Sequence, residues 1–226
     1  MSAVAERLAE VRARIDAAVQ RSGRAPGSVR LLAVSKTKPA QELREAYAAG
    51  QRAFGESYAQ ELEQKAAELS DLPDLEWHFI GHLQTNKAKV VAKVAHVLHT
   101  VDKPDLVREL DKRLTALGRS MRVLCEVNVS GEAQKHGARP DDLRVLLSAI
   151  ESVRTLTLQG LMTIPPADDD AAATRAFEGL CALQKANGGA ARLPELSMGM
   201  SGDLELAIAA GSTFVRVGTA IFGERA

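Results

Sequence analysis

The chain has 226 residues, 46% of them hydrophobic, with 29 basic and 29 acidic side chains. That length suits one barrel-sized unit with a large core, and the balanced charge excludes whole-chain electrostatic attraction to nucleic acid or to a membrane surface. Two cysteines, Cys125 and Cys181, lack the partner spacing of a metal site or a disulfide framework.

The chain opens with MSAVAERLAEVRARIDAAV, which has no continuous apolar stretch of the signal-peptide kind. Val4, Leu8, Val11, Ile15 and Val19 recur at spacings of three and four, so residues 1–22 are expected to form an amphipathic helix. Ser22-Gly23 and Pro26-Gly27 end it. No stretch reaches the apolar length of a membrane span, and a cytoplasmic location is expected. Eight apolar runs then alternate with helix-compatible sequence. The runs are RLLAVSK (to Lys36), RAFGES (to Ser57), EWHFIGH (to His82), HVLHTV (to Val101), RVLCEVN (to Asn128), TLQGLMT (to Thr163), ELSMGM (to Met200) and FVRVG (to Gly218). Amphipathic segments lie between them, among them Gln41–Ala49, Tyr58–Leu69, Lys103–Leu117, Asp141–Val153, Ala171–Ala186 and Asp203–Ala210. Strands apolar enough to be buried on both faces, each followed by a helix, predict an α/β fold with a parallel sheet. With eight of them, closure into a (β/α)8 TIM-type barrel removes both edges. An open doubly wound sheet is the rival, but the glycine-rich turn it usually carries after the first strand is missing.

In such barrels the reactive groups sit at the carboxyl ends of the strands and in the loops beyond. Strand one ends Val34-Ser35-Lys36-Thr37-Lys38-Pro39. A lysine at an apolar mouth is partly desolvated, which frees the neutral amine for Schiff-base chemistry; the alternative is a solvated rim lysine. Strands seven and eight lead into Met200-Ser201-Gly202-Asp203 and Gly218-Thr219, where barrels tend to bind phosphate. The plainer alternatives are Ser201 as an N-cap and Gly218 as a packing requirement. Arg216 shares a strand face with Gly218. It either pairs with an acidic residue such as Glu56 or Glu126, or donates to the ring nitrogen of a bound heterocycle.

Six segments in order, LLAVSKTKP, FGESYAQE, WHFIGHLQTNK, VLCEVNVSGEAQKHG, LQGLMTIPP and LSMGMSGDLELAIAAGSTFVRVGTAIFG, resemble the YggS/PROSC family of pyridoxal-phosphate homeostasis proteins, and they run from Leu31 to Gly223. The family's barrel is similar to the N-terminal domain of alanine racemase, a fold-type-III-like barrel, here expected without the β domain. The resemblance implies that Lys36 forms a Schiff base with pyridoxal 5′-phosphate (PLP), and that Ser201, Gly218 and Thr219 contact its phosphate. It also implies that Arg216 faces the pyridine nitrogen. The family's second motif usually reads GENY; Ser57 stands here in place of its asparagine, which removes an amide contact to the cofactor. Ile80, His82 and Met200 are expected to line the mouth, with Trp77 in packing. The domain reading is then a single PLP-binding domain over 1–226, with the helix over 1–22 and the barrel over 30–223.

An arginine opposite the ring nitrogen keeps it neutral, which disfavours a long-lived carbanion. A barrel with no second domain would leave the cofactor open to solvent, which suits storage and delivery better than turnover. The expected function is PLP homeostasis without enzymatic turnover and with no metal, in a monomer that hands PLP to apoenzymes. The alternatives are a slow amino-acid racemase or decarboxylase using Lys36 and Tyr58, and a Schiff-base aldolase. Tyr58 is otherwise expected to make a structural hydrogen bond, Tyr47 to pack on the outside, and Asp168, Asp169 and Asp170 to start a helix. Lys38, Lys87 and Lys135 are expected to be rim charges.

Overall fold

Each apolar run becomes a strand in the computed structural model, which describes residues 2–132 and 134–224. The strands are β1 (Arg30–Val34), β2 (Ala53–Glu56), β3 (Glu76–Phe79), β4 (Val97–Val101), β5 (Met121–Glu126), β6 (Leu156–Met162), β7 (Glu195–Ser197) and β8 (Phe214–Val217). All pairs are parallel, and β8 returns to β1 to close the barrel in chain order. Several strands stop short of the runs that predict them: β1 ends at Val34, so Lys36 lies in the turn two residues beyond it.

The helices are α1 (Ala3–Arg21), α2 (Ala40–Ala48), α3 (Ala59–Glu68), α4 (Ala88–Val94), α5 (Pro104–Leu117), α6 (Leu143–Glu151), α7 (Asp170–Ala186), α8 (Gly189–Arg192), α9 (Leu204–Ala210) and α10 (Thr219–Phe222). Local signals explain their ends. The Ser2 hydroxyl caps α1 by accepting from the Ala5 N–H at 3.3 Å. Pro104 opens α5, and Gly118, in the left-handed conformation at φ 62°, closes it. α4, α8 and α10 are four to seven residues long, too short for a periodic pattern to announce them.

Strand alternation divides the barrel into two cores. Outward residues such as Ala33, Phe54, Trp77, Leu98 and Val123 pack under the helices in one continuous cluster. Trp77 is there, its ring tilted against that of Phe54 with centroids 6.3 Å apart, as expected for a packing residue. The barrel interior holds a much smaller apolar cluster of Val97, Leu124 and Met162. The remaining interior positions include His78, His99, Ser197 and Arg216, all nearly or fully buried. Polar groups in that setting need hydrogen-bond partners, and the site is built around them. Helix α1 covers the β1–β8 side from outside, with Arg7 Nε donating to the Ile221 carbonyl at 2.7 Å and Arg14 paired to Glu205.

Candidate functional site

The turn after β1 is held by a buried charge cluster. Lys65, on α3, is 5% exposed, and its three N–H groups donate to the Ser35 carbonyl at 2.6 Å, Glu56 Oε1 at 2.8 Å and Glu61 Oε1 at 2.6 Å. Ser35 Oγ donates to the same Glu56 oxygen at 2.6 Å. The Thr37 N–H donates to Glu61 Oε1 at 2.5 Å, while Thr37 itself takes a left-handed φ of 65°. Lys36 is therefore flanked by two residues that this cluster holds in place, and it is half-buried at the carboxyl end of the barrel. Burial raises the Glu56 carboxyl, against the lowering pull of Lys65 and Ser35. Glu56 is thus committed to Lys65, and its proposed pairing with Arg216 does not occur.

The loops after β7 and β8 meet beside that turn. A Cβ on Gly218 would stand 3.0 Å from the Val34 carbonyl, so glycine lets β8 close against the end of β1. Ser201 is not an N-cap: α9 begins three residues later, at Leu204, behind Asp203, whose Oδ1 accepts from the Met200 N–H at 2.5 Å. Among the described residues the hydroxyls of Ser201 and Thr219 make no hydrogen bond, and the N–H groups of Ser201, Gly202 and Gly218 reach no backbone carbonyl. Such groups, gathered at the starts of α9 and α10, are of the kind that accept an anion.

Arg216 lies inside the barrel, 4% exposed. Its guanidinium donates to the Ser197 carbonyl at 2.7 Å, Ser197 Oγ at 2.8 Å and the Thr163 carbonyl at 2.9 Å. Burial brings it down to about 10, with Glu126 and Asp203 pulling the other way, so it stays cationic at neutral pH. Among the described residues it has no carboxylate within 4.0 Å. Glu126, at the end of β5, acts on it through space only. Burial and the charge of Asp102 push the Glu126 carboxyl up to about 7, against the attraction of Arg216.

The other predicted positions ring the mouth. Ser57 is half-buried, and its carbonyl packs where a side chain on Gly81 would be, 2.1 Å from an added Cβ. Ile80 reaches over Gly55 beside Leu32. His82 stacks face to face on His136, with centroids 3.7 Å apart, and burial lowers its imidazole. Tyr58 does not make the structural hydrogen bond expected of it: it is 54% exposed, and its hydroxyl has no partner among the described residues. Tyr47 packs outside under Arg52 and hydrogen-bonds Asp74, and Asp169 caps α7, both as expected. Lys38 donates to the Glu224 carbonyl at 2.6 Å, and Lys135 pairs with Glu132 at 2.6 Å.

Reading strand ends alone passes over Lys65, Ser35, Asp102, His78, His99 and Ser197. A signal for three of them exists: His78, His99 and Ser197 interrupt strands that are otherwise apolar, and a buried polar residue needs a partner. Lys65 gives no such signal, because a lysine on an amphipathic helix reads as solvated.

The alanine racemase N-terminal domain family matches residues 7–226. The Pyridoxal phosphate homeostasis protein of Pseudomonas aeruginosa is 50% identical over 100% of this chain and 97% of its own. The structure of PipY from Synechococcus elongatus with PLP bound superposes with a TM-score of 0.80 at 42% identity, covering 97% of this chain and all of that one. Alanine racemase from Corynebacterium glutamicum shares the fold alone, at 18% identity and a TM-score of 0.69 over 98% of this chain and 61% of its own. With full-length identity of this order to named members, the chain belongs to the pyridoxal phosphate homeostasis protein family, whose barrel is that of the alanine racemase N-terminal domain.

Proposed function

We propose that this protein holds PLP at the carboxyl end of its barrel, attached through Lys36, and stores or delivers it reversibly. The observation that carries the reading is the convergence of three groups suited to the three parts of that molecule. A half-buried lysine sits in a turn held by Lys65, hydroxyls and N–H groups without protein partners among the described residues lie on the neighbouring loops, and a buried arginine lies between strand ends. PLP supplies an aldehyde that an amine captures reversibly and a phosphate that anchors it.

Lys36 Nζ would hold PLP by condensing with its aldehyde with loss of one water, and hydrolysis of that linkage would release the cofactor. Ser201, Gly218 and Thr219 take the phosphate; Arg216, which stays cationic, donates to the pyridine nitrogen and keeps it unprotonated. Met200, Ile80 and His82 border the ring, and Ser57 offers a short hydroxyl where an amide is usual. Charge withdrawal into the ring is then weak, which suits a carrier better than a carbanion enzyme. We further read the chain as one domain over 1–226, monomeric and cytoplasmic, passing PLP to apoenzymes. The lack, among the described residues, of any helix long and apolar enough to cross a membrane is compatible with that location.

The test is the visible absorbance of the purified protein with added PLP. The full chain is expected to show a yellow band that Lys36→Ala abolishes; a band that survives dialysis in the variant would sink the assignment. Steady incorporation of α-deuterium into amino acids by the loaded protein in deuterated water would favour the racemase alternative instead.

A further inference from the structure

The interior polar residues form one connected line through the barrel. Arg216 Nη1 donates to Ser197 Oγ at 2.8 Å, Ser197 Oγ lies 2.9 Å from His99 Nδ1, and His99 Nε2 lies 2.8 Å from His78 Nδ1. His78 Nε2 lies 3.1 Å from Glu76 Oε2, a contact that falls short of hydrogen-bond geometry, and Glu76 is paired with Arg122 at the amino end. Ser197, His99 and His78 are fully buried, and Phe214 packs edge-on against both imidazoles at 5.6 Å.

The two ends of this line set its direction. A guanidinium can only donate, and a carboxylate can only accept. Glu76 is held at about 2, chiefly by His78, so it is ionised, and burial lowers both histidines, so they are neutral. A lone pair of His78 Nε2 facing that carboxylate would be repelled, so His78 carries its proton on Nε2. Its Nδ1 must then accept, which puts the His99 proton on Nε2 as well. His99 Nδ1 in turn accepts from the Ser197 hydroxyl, whose oxygen accepts from Arg216. Every proton along the line is assigned, and all donors point away from Arg216.

We propose that Ser197, His99 and His78 are positioning residues for Arg216, forming with Glu76 a relay of fixed polarity that holds the guanidinium oriented toward the ligand. Arg216 has no counter-ion within ion-pair distance among the described residues, so an aligned row of dipoles ending in a carboxylate takes that place. Ser197 in the relay holds Nη1 of the guanidinium, the Thr163 carbonyl outside it holds Nη2, and the remaining donors are left for what binds at the mouth. The orienting role rests on the PLP reading above; the proton assignment does not.

Two measurements separate the two. In the full chain without PLP, labelled with 15N-histidine and assigned with His78→Gln and His99→Gln, both imidazoles are expected as neutral Nε2–H tautomers at neutral pH. A proton on Nδ1 of either ring overturns the relay. On adding PLP, the His99 Nδ1 resonance is expected to shift, and Ser197→Ala is expected to cancel that shift while weakening PLP binding by roughly tenfold. Ser197→Thr, which keeps the hydroxyl, is expected to restore both. A visible band in the unsubstituted chain with no response at His99 defeats the orienting role. Absence of the band defeats the PLP reading and leaves the tautomer result standing. If Ser197→Ala fails to fold, the tautomers and the His99 response of the unsubstituted chain still decide.

Discussion

The two ends of the barrel solve opposite problems with the same residue types. At the amino end three arginines meet carboxylates: Arg30 pairs with Glu195, Arg52 with Asp74 and Arg122 with Glu76. Arg30 also lies over the Phe214 ring at 3.9 Å and closes the floor. Among the described residues, Glu56 Oε2, His82 Nδ1, Asp102 Oδ1 and Glu126 Oε2 at the carboxyl end are buried with no hydrogen-bond partner, whereas toward the amino end Ser28 Oγ and His78 Nε2 are in that position. Satisfied polar groups rigidify, and unsatisfied ones cost stability unless something binds there. The amino end therefore serves as the structural floor, and the carboxyl end holds its groups ready at some expense in stability.

Three changes test that contrast. The largest effect is expected from Lys65→Met, which leaves Glu56 and Glu61 without their buried cation. Urea unfolding should show a loss of about 3–5 kcal/mol, of which Glu56→Gln in the same chain recovers a part. A loss under 1 kcal/mol would mean that the cluster does not hold the Lys36 turn.

Next comes the pH dependence at the carboxyl end. The ordinary value of a glutamate carboxyl is 4.5, and Glu126 in the fold is raised to about 7. A raised group binds its proton more tightly when folded, so its contribution is fully present below 4.5 and is lost as pH rises through about 7. Glu126→Gln should remove this loss, amounting to roughly 3 kcal/mol between pH 4.5 and 8. Unfolding curves of the two proteins that stay parallel across that range would show Glu126 to be solvated.

The smallest effect belongs to the amino end and has the opposite sign. Glu76 is lowered to about 2 by His78 and Arg122, so its contribution is present above pH 4.5 and is lost as pH falls toward 2. Discounted for partial exposure, it should be about 1–2 kcal/mol, and Glu76→Gln should flatten the acid limb of the stability curve while leaving the neutral-to-alkaline limb to Glu126. If Glu76→Gln instead changed stability above pH 7, the two ends would not be electrically separate.

The alternation of apolar runs with amphipathic segments determined the barrel by itself, because a strand buried on both faces reads as a continuous apolar run and a helix packed on one side keeps a helical period. The position of Lys36 just past the first strand was legible as well, because the apolar run ends on it; its proposed role came from the resemblance and not from its position. Ser201, Gly218 and Thr219 were legible as turn residues after strands seven and eight. What no spacing could show was pairing across the barrel. Lys65 lies 30 residues from Ser35 and meets it because β2 and its helix pack beside β1, and His99 lies 98 from Ser197 and meets it only because the barrel closes. Periodicity says which side of a strand a residue occupies. It does not say which residue it faces, and so only the closed barrel decided that Glu56 belongs to Lys65, that Arg216 belongs to Ser197, and that the line behind Arg216 ends on Glu76.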